Sequence, residues 1–199
     1  MRILQANDKS AVAEAVAVLR NGGVVALPTE TVYGLAALWT CADAREQIYE
    51  LKRRPKEKRL QMLADSLENA YACGLQESAA LRKLASAFWP GALTVVAPAA
   101  GGESIGLRIP NHPFVLALLK ALNAPLAATS ANLAGEAPGL TLQEATARLN
   151  GEPELGIDGG FATVTGGTAS TVLSIMGEEP VVLRPGSIDI EDIRAALRQ

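Results

Sequence analysis

Histidine is nearly absent from this sequence: His112 is the only one in 199 residues. Without a second imidazole a Ser-His-Asp hydrolase has little support, and His112, just before Pro113, reads as a helix cap. Cysteine is almost as scarce. Cys41 and Cys73 stand alone without metal-ligand spacing, which argues against zinc and redox motifs. Aromatic residues are 4% of the chain, leaving few platforms for stacking bases. A net charge of −3 and a pI near 5.3 argue against a nucleic-acid binder that uses its whole surface. No apolar run approaches the ~20 residues of a membrane span, and the first residues lack a signal-peptide core. A cytoplasmic protein is the consistent reading. There is no GxxxxGKS/T phosphate loop, no GxGxxG after a strand, no HExxH, and no GxSxG elbow around Ser130.

What is present is a large apolar fraction, 49%, carried by Ala, Val and Leu, enough for one substantial core in a single α/β domain spanning residues 1–199. The organising stretch runs from Gly22 to Ala37. Val24–Leu27 is short and apolar enough for a buried strand, and Pro28 should end its pairing. Thr29, Glu30 and Thr31 follow, at a strand's carboxyl end, where an α/β sheet presents its ligand site. Those side chains could equally do no more than cap the strand locally.

Around that stretch the periodicity predicts a helix over 9–21 with Val12, Val16 and Leu19 inward. A second helix spans roughly 43–53, with Ala44, Ile48 and Leu51 in register and Asp43 and Glu46 at capping positions. Strands are expected at 60–64, 93–97, 105–109, 126–128, 155–158, 171–175 and 181–184. Further helices are expected at 78–88, 113–122, 141–149 and 189–198. Phe88–Gly91 reads as a turn with buried aromatics, and Gly159-Gly160 and Gly166-Gly167 as turns. In the 105–109 strand, alternation sets Arg108 opposite Ile105, Leu107 and Ile109. Such an Arg is either paired with a carboxylate or waiting for one.

The segment from Lys52 to Arg59 holds six basic residues in eight, within a chain that is acidic overall. Concentrated charge of this kind suits an anionic ligand, although many such runs are solvated turns. Hydroxyls, one amide and a set of Lys and Arg residues favour binding anions and stabilising charge over covalent catalysis.

PTETVYGL at 28–35, KRRP at 52–55, LRIPNH at 107–112, TSAN at 129–132, STV at 170–172 and LRPG at 183–186 occur in this order. In that combination the chain resembles the YrdC/Sua5 family, the threonylcarbamoyl-AMP synthases, in its short single-domain form. The resemblance implies a twisted mixed sheet flanked by helices, with a large, positively lined concave cavity. It also implies a nucleotidyltransferase that joins L-threonine, bicarbonate or CO2, and ATP into threonylcarbamoyl-AMP, releasing pyrophosphate. Other proteins would then pass the threonylcarbamoyl group to tRNA. Lys52 and Arg54 match the family's KxR pair, and Ser130 and Asn132 its SxN pair, around the ATP phosphates and the carbamate. Thr31, Arg108 and Thr171 would contact threonine, Arg108 through its carboxylate. Ser104, Arg184 and Lys58 would contact the nucleotide. Mg2+ would arrive with ATP, without protein ligands. Leu63 stands where many members have a histidine, and Ala134 and Pro138 replace serines. An RNA-binding module built on residues 52–59, or a paralogue for another acyl or carbamoyl substrate, are the alternative readings.

Overall fold

The computed structural model describes residues 1–161 and 168–198. The strands are β1 (Arg2–Gln5), β2 (Val25–Leu27), β3 (Gly34–Leu38), β4 (Gln61–Leu63), β5 (Leu93–Pro98), β6 (Ser104–Arg108), β7 (Leu126–Ser130), β8 (Leu155–Asp158), β9 (Thr171–Ser174) and β10 (Val181–Arg184). The helices are α1 (Ala11–Arg20), α2 (Ala42–Lys52), α3 (Leu67–Ala72), α4 (Ala79–Phe88), α5 (Pro113–Leu122), α6 (Leu142–Thr146) and α7 (Ile190–Arg198). All the described strands join one mixed sheet in the order β1-β8-β2-β3-β7-β4-β6-β5-β9-β10. No helix among the described residues is long and apolar enough to cross a membrane.

The apolar run at 24–27 is continuous because both faces of the sheet are covered there. Val25 and Leu27 face α1 and α5, packing with Leu19, Val115 and Leu118. Val24 and Ala26 face the other way, with Ile48 and Leu51 of α2 and Leu142 of α6. A third cluster continues on that second face, where Met62, Val95 and Leu107 meet Leu81 and Leu84 of α4 and Ile193 of α7. On the first face the α1/α5 cluster reaches Leu63 at the end of β4 and includes no residue of β6, β5 or β9. There the sheet lies open.

Most expected elements are present, with instructive differences. In α1 the buried positions are Ala11, Ala15 and Leu19, while Val12 and Val16 are half-buried, because alanines let α1 approach α5 closely. Asp43 and Glu46 do not cap α2: its N-cap is Cys41, with no side-chain bond. The helix stops at Arg53, which takes a left-handed conformation (φ 47°, ψ 43°), two residues before Pro55. His112 occupies the N-cap of α5 without a capping bond, and its buried Nδ1 has no hydrogen-bond partner. Thr141 does cap α6, accepting from Glu144 N, while Glu144 reaches Leu140 N, and that helix ends at Thr146. Phe88 is only partly buried. The Gly166-Gly167 turn lies outside the described residues.

Three elements were not anticipated: β1, β3 and α3. β3 reads Gly-Leu-Ala-Ala-Leu, with no β-branched residue, yet it is a central strand paired with β2 and β7. Its small side chains serve the packing: a Cβ on Gly34 would stand 3.2 Å from Thr129 O. β7 correspondingly runs on to Ser130, opposite Gly34.

Gly186, the last residue of LRPG, lies against the start of β9, where a Cβ would come within 2.3 Å of Thr171 N and 2.5 Å of Ala169 O. Both contacts are backbone and neither can yield cheaply. Gly186→Ala is therefore expected to destabilise the fold by about 1–3 kcal/mol, the usual range for overpacking. Urea denaturation checks this, and a midpoint equal to wild type would contradict it.

Candidate active site

The open sheet face forms a cleft of about 300 Å³. Alternation along the strands decides its floor: Gln61 of β4, Thr94 of β5, Ser104, Gly106 and Arg108 of β6, and Ser130 of β7 all project to this side. Thr31 comes from the β2–β3 turn, Arg54 from the segment after α2, and Ser170 and Arg184 from around β9 and β10. Thus Thr31, Arg54, Ser104, Arg108, Ser130 and Arg184, separated widely in sequence, converge on one hollow. Lys52, Lys58, Asn132 and Thr171 do not line it.

Arg108 is the most constrained of these side chains. Its Nη2 is paired with Glu30 Oε1 at 2.6 Å, and both side chains are almost fully buried, 3% and 4% exposed. Its Nη1 donates to Thr31 Oγ1 at 3.0 Å and its Nε to Gly91 O at 3.1 Å. A guanidinium has five N–H groups, so one on each terminal nitrogen is left for a ligand. Glu30 Oε1 also accepts from Asn111 N. The two readings of the β2–β3 turn divide between its threonines. Thr29 Oγ1 caps locally, donating to Val32 O and accepting from Thr31 N and Val32 N. Thr31 instead faces Arg108.

Four arginines line the cleft, Arg54, Arg59, Arg108 and Arg184. Arg54 donates through Nε to Lys58 O at 2.7 Å and through Nη2 to Arg59 O at 3.0 Å, which closes its own loop. Arg184 Nη2 donates to Ser170 O at 2.7 Å and Ser170 Oγ at 3.2 Å. Ser170 Oγ meets Thr94 Oγ1 at 2.9 Å, and Thr94 donates to Gln61 Oε1 at 3.0 Å, so a polar ladder crosses the floor. Burial lowers the pKa of Arg54, which the neighbouring charge of Arg184 lowers further. Burial and then the charge of Arg108 lower that of Arg184. No acidic residue lines the cleft among the described residues. The chemistry is that of an anion site.

Lys52 sits behind this surface, 1% exposed. Its Nζ donates to Ser130 O, to Asn132 O and, at 3.5 Å, to Asn132 Oδ1. The left-handed turn at Arg53 thus sends Lys52 beneath the 130–132 loop and Arg54 into the cleft. Burial, then the charge of Arg54, pulls the Lys52 ammonium down to about 7, against the preference of these acceptors for the charged form. Asn132 holds the same loop, donating to Leu133 O and Glu136 O. Thr171 is a structural pin: its Oγ1 donates to Ile188 O and accepts from Ile188 N. Lys58 offers its carbonyl to Arg54 while the residue remains exposed. Leu63 is 2% exposed, within the core under α5. Ala134 and Pro138 are outside the cleft lining. The 52–59 run is accordingly no free basic patch, since Lys56 pairs with Glu46 and Arg59 with Glu103.

Sequence reasoning passed over Gln61, Thr94 and Ser170, and it gave Glu30 no partner. Thr94 carried a signal, a hydroxyl on the face opposite Leu93 and Val95. Ser170 stands one residue from the Thr171 chosen from STV, and that single step changes the face.

A family model, Sua5_yciO_yrdC (described as Telomere recombination), matches residues 17–186. The threonylcarbamoyl-AMP synthase of Bacillus subtilis (strain 168) is 40% identical over 207 residues, covering 98% of this chain and 58% of that protein. The chain therefore spans little more than half the length of that curated relative. The crystal structure of P. abyssi Sua5 complexed with L-threonine superposes with a TM-score of 0.89 at 31% identity, covering 98% of this chain and 60% of that one. The crystal structure of E. coli YciO gives 0.83 at 25% identity, covering 96% and 97%.

Two tests follow from the buried charges. Glu30→Gln leaves Arg108 buried without a counter-ion and should cost about 3–5 kcal/mol, whereas Glu30→Met with Arg108→Leu should recover most of it. Chemical denaturation of both variants decides. For Lys52, an unfolded chain keeps its proton up to about pH 10.4 while the folded chain sheds it from about 7. Between those values the unfolded state binds more protons, so this residue's contribution to stability rises with pH. The stability difference between wild type and Lys52→Met should therefore shift in favour of wild type from pH 7 to 10. A flat difference would mean that the carbonyl acceptors hold the ammonium charged.

Proposed function

The chain belongs to the Sua5/YciO/YrdC family, and from that premise we propose that it forms threonylcarbamoyl-AMP and pyrophosphate from L-threonine, bicarbonate or CO2, and ATP. The observation that carries this reading is the convergence of Arg54, Arg108 and Arg184 with the Ser130 loop in one cleft whose lining contains no described acidic residue. Homologous proteins bear the name threonylcarbamoyl-AMP synthase, and P. abyssi Sua5 was solved with L-threonine.

In this mechanism the amine of threonine adds to CO2 and loses a proton, giving a carbamate anion. A carbamate oxygen then bonds to the α-phosphorus of ATP as the bond to the bridging oxygen breaks, and pyrophosphate leaves with the electron pair. The nucleophile already carries its charge, so no histidine base is required; His112 is outside the cleft lining. The barrier is the approach of two anions, and positioned cations reduce it. Arg108, oriented by Glu30 and Thr31, holds the threonine carboxylate with its two remaining N–H groups. Arg54 and Arg184, on other walls of the cleft, bind the nucleotide phosphates. Ser104 and the Ser130 hydroxyl contribute neutral donors. Lys52 and Asn132 act from behind, fixing the loop that presents Ser130. Thr171 serves by anchoring Ser170, which holds Arg184.

Mg2+ belongs to this scheme as a passenger on the phosphates. Among the described residues no group of three or more His, Cys, Asp or Glu side chains could hold a metal ion, and in this proposal the ATP phosphates carry the cation. The product would be consumed by proteins that transfer the threonylcarbamoyl group to tRNA in the cytoplasm.

Arg54→Ala and Arg184→Ala should each lower threonine-dependent pyrophosphate release about 10²–10³-fold, with unchanged far-UV circular dichroism. Wild-type turnover in both variants would remove the guanidiniums from the mechanism. Running the same assay with serine and other amino acids tests the choice of threonine, since Leu63 replaces the family's histidine beside Arg108.

A further inference from the structure

A second cavity, of about 540 Å³, lies on the opposite face of the sheet. Strand parity separates the two: Ser104, Gly106 and Arg108 of β6 face the cleft, whereas Ile105 faces this cavity. It occupies the seam between two core clusters, and Trp39 packs against both of them. Trp39, Tyr49, Leu60, Ile105, Ala99 and Ala100 give it an apolar wall, and the hollow, open on one side and bordered by Arg45, Glu46, Arg59 and Glu103, is large enough for a bicyclic ring system.

The charges at its edge are not equivalent. Arg59 is matched by Glu103 at 2.6 Å and Glu46 by Lys56 at 2.9 Å. Arg45 has no carboxylate partner among the described residues. It lies over the Trp39 ring, 5.8 Å from the centroid, and its buried Nε meets no acceptor. A buried guanidinium nitrogen without an acceptor is costly, and the deficit is removed by an anion in the cavity. Apolar walls plus one uncompensated cation define an amphipathic guest.

We infer that this back-face cavity, bounded by Trp39, Tyr49 and Arg45, is a binding site for a small aromatic monoanion, a flat apolar body bearing one carboxylate or phosphate that Arg45 receives. Trp39 and Tyr49 contact the rings, and the Arg45 guanidinium supplies charge-assisted hydrogen bonds. The site is separate from the cleft that takes the nucleotide, sharing with it only Arg59, Leu60 and Ser104 at the starts of β4 and β6.

Three probes with a common ring system test it by isothermal titration calorimetry on the full chain: 1-naphthylacetate, 1-naphthyl phosphate and uncharged 1-naphthaleneethanol. At least one anion should give a saturable one-to-one isotherm in the presence of saturating ATP. The tighter of the two anions assigns the guest to carboxylates or to phosphates. Arg45→Gln should weaken the anions roughly tenfold or more while leaving the alcohol unchanged. Ala100→Trp, at an exposed lining position, should block all three probes without disturbing the core. The proposal is overturned by absence of saturable anion binding, by one-for-one displacement by ATP, or by equal affinities in wild type and both variants.

Discussion

The ion pair between Arg108 and Glu30 is the constraint on which the site rests. It joins β6, inside the sheet, to the turn between β2 and β3, with the backbone of Gly91 and Asn111 completing the shell. Two charges taken this far from water are weak as a source of stability, because desolvation offsets most of their attraction. What they provide here is position. Arg108 is held by Glu30, Thr31 and Gly91, and Glu30 Oε1 in turn meets both Arg108 and the amide of Asn111. An arginine fixed in that way keeps one further N–H on each terminal nitrogen, the donor set that suits a planar carboxylate.

That pair works because the sheet is covered unevenly. On the first face α1 and α5 cover β8, β2 and β3, parts of β7 and the Leu63 end of β4. Over β6, β5 and β9 the same face is left open, while the reverse face stays packed under α4 and α7. Strand alternation then sorts each segment without further instruction: Leu93 and Val95 go to the core, and Thr94 goes to the cleft. The protein gains a polar concavity from a sheet whose every strand still buries an apolar face. The same parity gives the back-face cavity its Ile105 and Leu60 lining.

How much of this could be read in the residues follows from range. Period-two alternation made Arg108 visible as a polar residue against a core face, and Pro113 and the Thr141/Glu144 capping box marked the starts of α5 and α6. β3 was invisible because a Gly-Ala-rich strand has no local preference for extension; its pairing with β2 and β7 decides it. The Glu30–Arg108 partnership spans 78 positions of chain order and leaves no periodic trace. The KxR pair was recognised as one unit, yet a left-handed residue between its members separates a buried brace from a cleft-lining guanidinium. In STV, the motif pointed to Thr171, while the geometry turns Ser170 and Val172 toward the cleft. Family motifs located the right segments; side-chain direction needed the fold.

Positive charge that repels itself carries its own consequence. After burial, the charge of Arg184 lowers the affinity of Arg54 for a proton and the charge of Arg108 lowers that of Arg184, and no carboxylate among the described lining residues pairs with either Arg54 or Arg184. The cost is borne by the empty protein and is met by strand pairing and core packing formed elsewhere. Under the proposed function a polyphosphate would remove that cost, the cleft's donors being already oriented. Leu63 extends the same logic. It pairs in register with Arg108 across β4 and β6, so these two side chains share a sheet face. With leucine there instead of an imidazole, Arg108 has an apolar neighbour and a drier setting. In the proposed reaction, recognition of the threonine carboxylate would then fall to Arg108 and Thr31, without a second polar group at position 63.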